Sequence, residues 1–171
     1  WTAGGSPYLL YNDITIDSTA TLIIDPGVSV VFQGAYNLNV YGQLQAAGTA
    51  AQPISFDISD TTGWWDSSVA DGGWHGIQFR PYGGTGTDLS SLQYCRVSHT
   101  KFDSADAMIV PTLTTMYVQR GLSLQHCTFA HNKSGFDYLI YVVTDISQLF
   151  ELDGCMITDN QFYFPILYVS N

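Results

Sequence analysis

One frame recurs three times in the second half of the chain. Each copy is a leucine, two further residues, a cysteine and, two positions later, an apolar side chain. The cysteines of these frames, Cys95, Cys127 and Cys155, lie 32 and 28 residues apart. A repeat of this length is typical of proteins that stack equivalent coils. The frame therefore predicts a solenoid in which the three cysteines occupy equivalent places.

The first third of the chain predicts the strands of such coils. Apolar residues alternate with other residues in short runs, which turn formers such as Asp25-Pro26-Gly27 separate. No helical pattern is long enough for the crossover helices of a doubly wound fold. We therefore predict an all-β fold, a parallel β-helix (solenoid) of roughly six coils with inserted loops. We expect a single domain over 1–171 that is part of a longer chain. The alternating runs are 14–16, 22–24, 28–32, 38–40, 44–46 and 54–58.

Charge and cysteine content exclude several classes of function. Fifteen acidic residues against five basic ones give a net charge of −10, which repels nucleic acid phosphates and anionic lipids. We predict no nucleic acid partner and, because no 18-residue apolar window occurs, no membrane insertion. Three cysteines cannot all pair within one chain, so we predict a buried stack of reduced thiols.

Four segments carry a resemblance to a known family. They are LIIDPGVSV at 22–30, LNVYGQLQAAGT at 38–49, PISF at 53–56 and WHGIQF at 74–79. These segments resemble secreted right-handed parallel β-helix proteins of the pectin-lyase-like superfamily. The resemblance implies right-handed coils and a secreted or cell-surface location, in a bacterium. The family includes pectate lyases, polygalacturonases and surface adhesins, so the resemblance leaves the activity open.

Residues outside the regular coil are the places where recognition is expected. Three stretches, 59–73, 101–117 and 133–147, exceed the repeat and are predicted to be inserted loops. The tract 162–169 is apolar and lacks a polar capping element. We expect further coils or a partner chain to cover this C-terminal end.

Each of the last two frames has an asparagine five residues after its cysteine. Asn132 and Asn160 hold this position, and Thr100 holds it in the first frame. Asparagine tolerates the left-handed backbone conformation better than most residues. We therefore predict that the two asparagines occupy left-handed corner turns.

The first insertion contains a candidate ligand-binding loop. Trp64 and Trp65 offer flat apolar faces to sugar rings, while Asp60, Asp66 and Asp71 supply carboxylates for sugar hydroxyls or for Ca²⁺. The alternative is that the indoles pack beneath the loop, which is the commoner use of tryptophan. No D-x-D-x-D calcium motif occurs, so no metal site and no cofactor are predicted, although Ca²⁺ binding is left open.

A second candidate site appears when the frames are aligned. His99, His131 and Asp159 stand four residues after the cysteines, and Lys101 and Lys133 stand six residues after the first two. Stacked in register, these side chains could deprotonate a sugar carbon or bind a metal. The alternative is a column of polar residues at a solvated corner, so all five are weak catalytic candidates.

The catalytic motifs of the enzymes in the family are missing. Polygalacturonases use Gly-His and Arg-x-Lys motifs, and neither occurs in this sequence. We therefore carry over no catalytic residue. We predict a non-catalytic secreted or cell-surface β-solenoid module for structural display or adhesion, with a glycan as a partner. The alternatives are a polysaccharide lyase or glycoside hydrolase, and a self-assembling filament or stalk domain.

Overall fold

Parallel β-strands form nearly all the regular structure of the protein, which we analysed as a computed structural model. The described residues are 1–66, 69, 71–80, 89–102, 116–118, 121–134, 139–143, 149–162 and 167–170. Within these ranges the helical structure is one 3-10 turn, Ala3–Gly5. No helix in them is long and apolar enough to cross a membrane.

The strands form three large sheets and one small sheet. Sheet I contains, in spatial order, β1 (Tyr8–Leu10), β4 (Ser29–Phe32), β7 (Ile54–Ile58), β10 (Cys95–Ser98), β14 (Thr128–Ala130) and β18 (Met156–Thr158). Sheet II contains β2 (Ile14–Ile16), β5 (Leu38–Val40), β8 (Ile77–Phe79), β12 (Met116–Val118), β16 (Ile140–Val143) and β20 (Leu167–Ser170). Sheet III contains β3 (Thr21–Ile24), β6 (Gln43–Ala47), β9 (Ser90–Gln93), β13 (Leu122–Gln125) and β17 (Phe150–Asp153). Sheet IV contains β11 (Lys101–Phe102), β15 (Lys133–Ser134) and β19 (Gln161–Phe162).

The order in which the chain visits the sheets follows the predicted repeat. Successive strands enter sheets III, I and II in turn, and each return to a sheet pairs with the strand of the previous passage. We call one such passage a coil. The strand pairings in the described ranges are parallel, and sheet I contains six strands there, one for each coil. The structure is therefore all-β with parallel sheets, an arrangement compatible with the predicted solenoid.

The core consists of side chains that repeat from coil to coil. In sheet III, Leu92 of β9 pairs in register with Leu124 of β13, and both are fully buried. In sheet I, Val97 pairs with Phe129, and these too are fully buried. Burying one such side chain contributes about 1.5–3 kcal/mol, so every coil adds a comparable increment of stability. The alternating apolar positions read from the sequence are the positions that fill this interior.

The three cysteines stack as predicted and are free thiols. Cys95 and Cys127 are buried and Cys155 is half-buried. The backbone N–H of Cys127 donates to the sulfur of Cys155 at 3.4 Å, and the Cys127 thiol donates to the Leu92 carbonyl at 3.3 Å. The hydrogen bond with Cys155 lowers the pKa of the Cys127 thiol. The hydrogen bond between Cys127 and Cys95 and the burial of Cys127 act in the opposite direction, and the pKa is raised to about 12.

Asn132 and Asn160 lie on the inner side of the corner. The prediction that they adopt a left-handed conformation was wrong. The left-handed residues are those one position earlier, such as His131, with a φ of 56°. Asn132 instead points inward and is fully buried. Its side chain donates to the Val97 carbonyl at 3.0 Å and accepts from the Thr100 N–H at 3.1 Å. Asn160 accepts the Asn132 N–H at 2.8 Å, so the amides form a ladder.

The predicted insertions agree with the structure to different degrees. The stretch 59–73 lies outside the named strands, between β7 and β8. The stretch 101–117 begins with β11 and ends within β12, and its middle part, 103–115, lies outside the described residues. The prediction that 133–147 is an inserted loop was wrong. This stretch contains β15 and the regular sheet II strand β16. A short apolar strand inside a polar stretch carries too weak a periodic signal.

The last coil leaves its interior side chains uncovered. Leu152 is 40% exposed, whereas Leu92 and Leu124, which precede it in the same column, are fully buried. Ile157 is only partly buried, in contrast to its register partner Phe129. Of the predicted apolar tract, Phe162 is partly buried and Leu167 is exposed. Residues 163–166 lie outside the described part of the chain.

Candidate functional site

The corner that follows β10, β14 and β18 positions the column of candidate catalytic residues. His99, His131 and Asp159 all adopt left-handed conformations there, with φ values of 55°, 56° and 53°. Lys101 pairs in register with Lys133 two residues later. The alignment of the cysteine frames therefore predicted the backbone positions of all five residues correctly. A left-handed conformation is uncommon for residues other than glycine, so its recurrence at His99, His131 and Asp159 marks a repeated corner.

The two imidazoles contact each other and one carboxylate. Their ring centroids are 5.3 Å apart at an interplanar angle of 18°, so His99 and His131 are stacked. Nδ1 of His99 lies 2.8 Å from Oδ1 of Asp57, whose other oxygen accepts the Ser98 hydroxyl at 3.0 Å. Asp159 is exposed, and its carboxylate accepts the hydroxyl of the preceding Thr158 at 2.9 Å. The column thus supplies a His–Asp pair and a second imidazole.

The indole of Trp64 covers this pair of imidazoles. Its ring stands nearly perpendicular to both, with centroid separations of 5.8 Å to His99 and 6.3 Å to His131. Trp64 is only 3% exposed. Its Nε1 is buried and has no acceptor among the described residues, so packing holds this side chain in place. The alternative prediction, that an indole packs beneath the loop, describes Trp64.

Both lysines of the column anchor the loop that carries Trp64. The Lys101 ammonium donates to the carbonyl oxygens of Gly63 at 2.8 Å and Asp71 at 2.6 Å, and this side chain is 2% exposed. The Lys133 ammonium donates to the carbonyl oxygen of Trp65 at 2.7 Å. Charge-assisted hydrogen bonds of this length are among the stronger ones in proteins. The two cations therefore fix the loop over the corner.

Trp65 is the exposed member of the indole pair. Its ring meets Trp64 edge to face, with centroids 4.3 Å apart and an interplanar angle of 81°. Trp65 is 69% exposed, the largest exposed fraction of any large hydrophobic side chain in the described ranges. The predicted binding surface of two indoles is therefore reduced to one. An exposed indole held against a buried ring is preorganised for stacking.

The three carboxylates of the loop are all exposed. Asp60 and Asp71 line a cleft of about 220 Å³ beside Gly34, below the usual range for small-molecule sites. Asp66 does not line this cleft. Thr62 lowers the pKa of the Asp60 carboxyl by donating two hydrogen bonds to it. The larger effect comes from its side chain and the smaller from its backbone N–H. No group of three metal-ligating side chains occurs in the described part of the chain.

Sequence reasoning missed Asp57 as the partner of His99. It lies outside the cysteine frames, on β7, and reaches His99 because β7 pairs with β10. Sequence reasoning also left unused the residue immediately before each cysteine. Tyr94, His126 and Gly154 form a second left-handed corner, which the same frame alignment could have found.

Comparisons with known proteins leave the family open. No family model, no curated protein and no solved structure matches this chain. Function must therefore be argued from the geometry of the corner and its loop.

Proposed function

We propose that this chain is a non-catalytic module of the right-handed parallel β-helix type, with the architecture of the pectin-lyase-like superfamily. It acts in structural display or adhesion on a secreted or cell-surface protein, in a bacterium. Two observations support this architecture. Successive strands enter the three large parallel sheets in a repeating order, and the cysteine frames stack in register. The polar loop on a rigid sheet scaffold is the usual arrangement of a recognition surface.

One observation carries the choice of binding over catalysis. The ammonium groups of Lys101 and Lys133 donate hydrogen bonds to carbonyl oxygens of the loop. The Trp64 ring packs on His99 and His131. A general base must come within hydrogen-bond reach of the proton it removes. Side chains that hold a loop over themselves are poorly placed to meet a polysaccharide, so we assign them to loop anchoring.

We propose that the loop contacts a glycan through Trp65. Its indole supplies an apolar face of the kind that packs on sugar rings, and the exposed carboxylates of Asp60 and Asp71 accept hydroxyl hydrogen bonds nearby. Lys133 fixes the backbone of Trp65, which limits the entropy lost when a ligand orders the ring.

The binding proposal is tested on a panel of immobilised polysaccharides. Replacing Trp65 by alanine should weaken retention about tenfold on the glycans that the wild-type protein binds, since loss of one stacked ring removes about 1.4 kcal/mol. Tyr11→Ala is the matched control, because Tyr11 is 62% exposed and lies outside the loop. Equal retention of the Trp65 variant and wild type, or no retention of either on any glycan, would refute glycan contact.

A second function is favoured by the uncovered last coil. Leu152 is 40% exposed although Leu92 and Leu124 in the same column are fully buried, and Ile157 is only partly buried although its register partner Phe129 is fully buried. We propose that a further coil or a partner chain packs on this face, as it would in a filament or stalk. Light scattering should then show self-association of the chain that Leu152→Ser reduces and Leu9→Ser does not. A strictly monomeric wild type at high concentration would exclude the self-assembling form.

The enzyme alternative rests on the His99 and Asp57 pair. A histidine oriented by a carboxylate is a common general base, and the two groups are 2.8 Å apart. A polysaccharide lyase or glycoside hydrolase would use this pair with His131 beside it. A search for cleavage products decides between this reading and loop anchoring.

A further inference from the structure

A groove lies beside the N-terminal ends of β10, β14 and β18, opposite the corner that carries His99 and His131. Just before β10, β14 and β18, the chain turns at Tyr94, His126 and Gly154, which have φ values of 47°, 52° and 58°. The Tyr94 and His126 rings stack with centroids 4.9 Å apart. A Cβ at Gly154 would meet the His126 ring unless that ring moved, and the positive φ also favours glycine here. The absence of a third side chain leaves the column open beside His126.

The groove runs along the outer face of sheet I next to this corner. Arg96, Thr128 and Met156 stand in register on three neighbouring strands and contribute to its lining. Thr49 and Pro53, from the longer turn between β6 and β7, also line it. Its volume is about 410 Å³, within the range of small-molecule sites. The groove therefore combines an apolar surface with a few polar groups.

The charge of the groove is opposite to that of the chain. Arg96 is exposed and makes no ion pair or hydrogen bond with any residue in the described ranges. The protein has fifteen acidic residues and five basic ones, yet none of the described residues that line this groove carries a carboxylate. His126, also exposed, lies one strand away from Arg96. An unpaired guanidinium next to an imidazole and a hydroxyl offers several hydrogen-bond donors to an anion.

We propose that this groove binds the carboxylate of a small organic acid with an apolar body. The planar guanidinium of Arg96 can donate two parallel hydrogen bonds to a carboxylate, and the Thr128 hydroxyl is a further donor. Met156, which is 58% exposed, and Pro53 contact the apolar body. Adaptable thioether side chains are frequent at such surfaces. The proposal is independent of glycan contact by the loop at the other end of the strands.

Titration with two matched probes tests this proposal. Benzoate should bind the wild-type protein in calorimetry and shift the NMR signals of Arg96, His126 and Thr128. Benzamide has the same body without the charge and should bind at least tenfold more weakly. Arg96→Gln should weaken benzoate binding about tenfold, the size expected for a charge-assisted hydrogen bond worth about 1.4 kcal/mol.

A charge-matched control separates the groove from a general effect of net charge. Arg80→Gln removes the same charge from a half-buried guanidinium that donates to Asn39 at 3.3 Å, away from the groove. It should leave benzoate affinity within twofold of wild type, and thermal melts should show both variants folded. The proposal is overturned if benzoate does not bind, if benzamide binds equally, or if the Arg96 and Arg80 variants behave alike.

Discussion

The two corners at the ends of β10 and β14 have the same backbone geometry and opposite fates. The coil that contains β14 places a left-handed histidine at both corners, His126 before the strand and His131 after it. At the first corner a loop covers the imidazoles and two lysines fix that loop. At the second corner the Tyr94 and His126 rings stack on each other, and a groove lies open beside them.

This contrast separates what the repeat imposes from what the insertion adds. The repeat demands one left-handed residue at each corner and fills the interior with thiols on one side and amides on the other. In the described ranges the insertion 59–73 has no counterpart at the second corner, where His126 is exposed and Tyr94 is half-buried. A column of histidines is therefore no sign of chemistry by itself, because its role depends on what lies over it.

The amide ladder beneath the covered corner should dominate its stability. Asn132→Ala removes hydrogen bonds to the Val97 carbonyl, to Asn160 and to Thr100, and leaves their buried groups unsatisfied. We expect a loss of about 3 kcal/mol in the free energy of unfolding. Urea denaturation of the variant and wild type measures it. A loss below about 1 kcal/mol would show that the ladder contributes little.

The buried lysine should be the stronger of the two loop anchors. Lys101→Met removes an ammonium that donates to two carbonyl oxygens, and we expect a loss of about 2 kcal/mol. Lys133→Met is the matched comparison, with one exposed hydrogen bond and an expected loss below about 1 kcal/mol. Limited proteolysis should cut within 59–73 faster in the Lys101 variant. Equal cutting rates would contradict the anchoring role.

The thiol stack that separates the corners predicts a loss of stability in alkali. The pKa of Cys127 in the folded state is about 12, above its ordinary value of 9.0. Its contribution is complete below pH 9 and declines above it, because the unfolded chain loses the thiol proton first. Between pH 8 and 10 the wild type should lose about 1 kcal/mol more than Cys127→Ala. Parallel pH dependences in urea titrations would contradict the raised pKa.

The open corner should be the more tolerant one. Gly154→Ala places a Cβ against the His126 ring and strains a left-handed residue, yet that ring is exposed and can move. We expect a loss below about 1 kcal/mol, part of which His126→Ala should restore in the double variant. Thermal unfolding of the four proteins forms the cycle. A loss above about 2 kcal/mol would mean that this corner is packed rigidly.

The parts of the structure that repeat were predictable from the sequence, and the contacts of the insertion were not. Alternating apolar residues predicted β2 to β7, and the cysteine frames predicted the register that stacks Cys95, Cys127 and Cys155. Both signals are local and periodic, so they specify position along a coil. The frames also placed His99 and His131 in one column.

Burial and partnership at the corner depend on tertiary contacts that no spacing encodes. Trp64 and Trp65 are adjacent and chemically identical, yet one is 3% and the other 69% exposed. Lys101 reaches Gly63 across 38 residues of sequence. The left-handed conformation was predicted at the asparagines because asparagine adopts it more readily than most residues. In the structure it lies one position earlier, and the asparagine amides are satisfied by the buried ladder instead of by a turn.

Product analysis on a polysaccharide panel tests the central claim that the covered corner anchors a loop and performs no chemistry. The wild-type protein is incubated with each polysaccharide with and without Ca²⁺, and new reducing ends and unsaturated products are measured. We predict no turnover above the level of a heat-denatured sample. Reproducible cleavage that His131→Ala abolishes while its fold is retained, and that Trp65→Ala preserves, would contradict the claim and identify the column as a reaction centre.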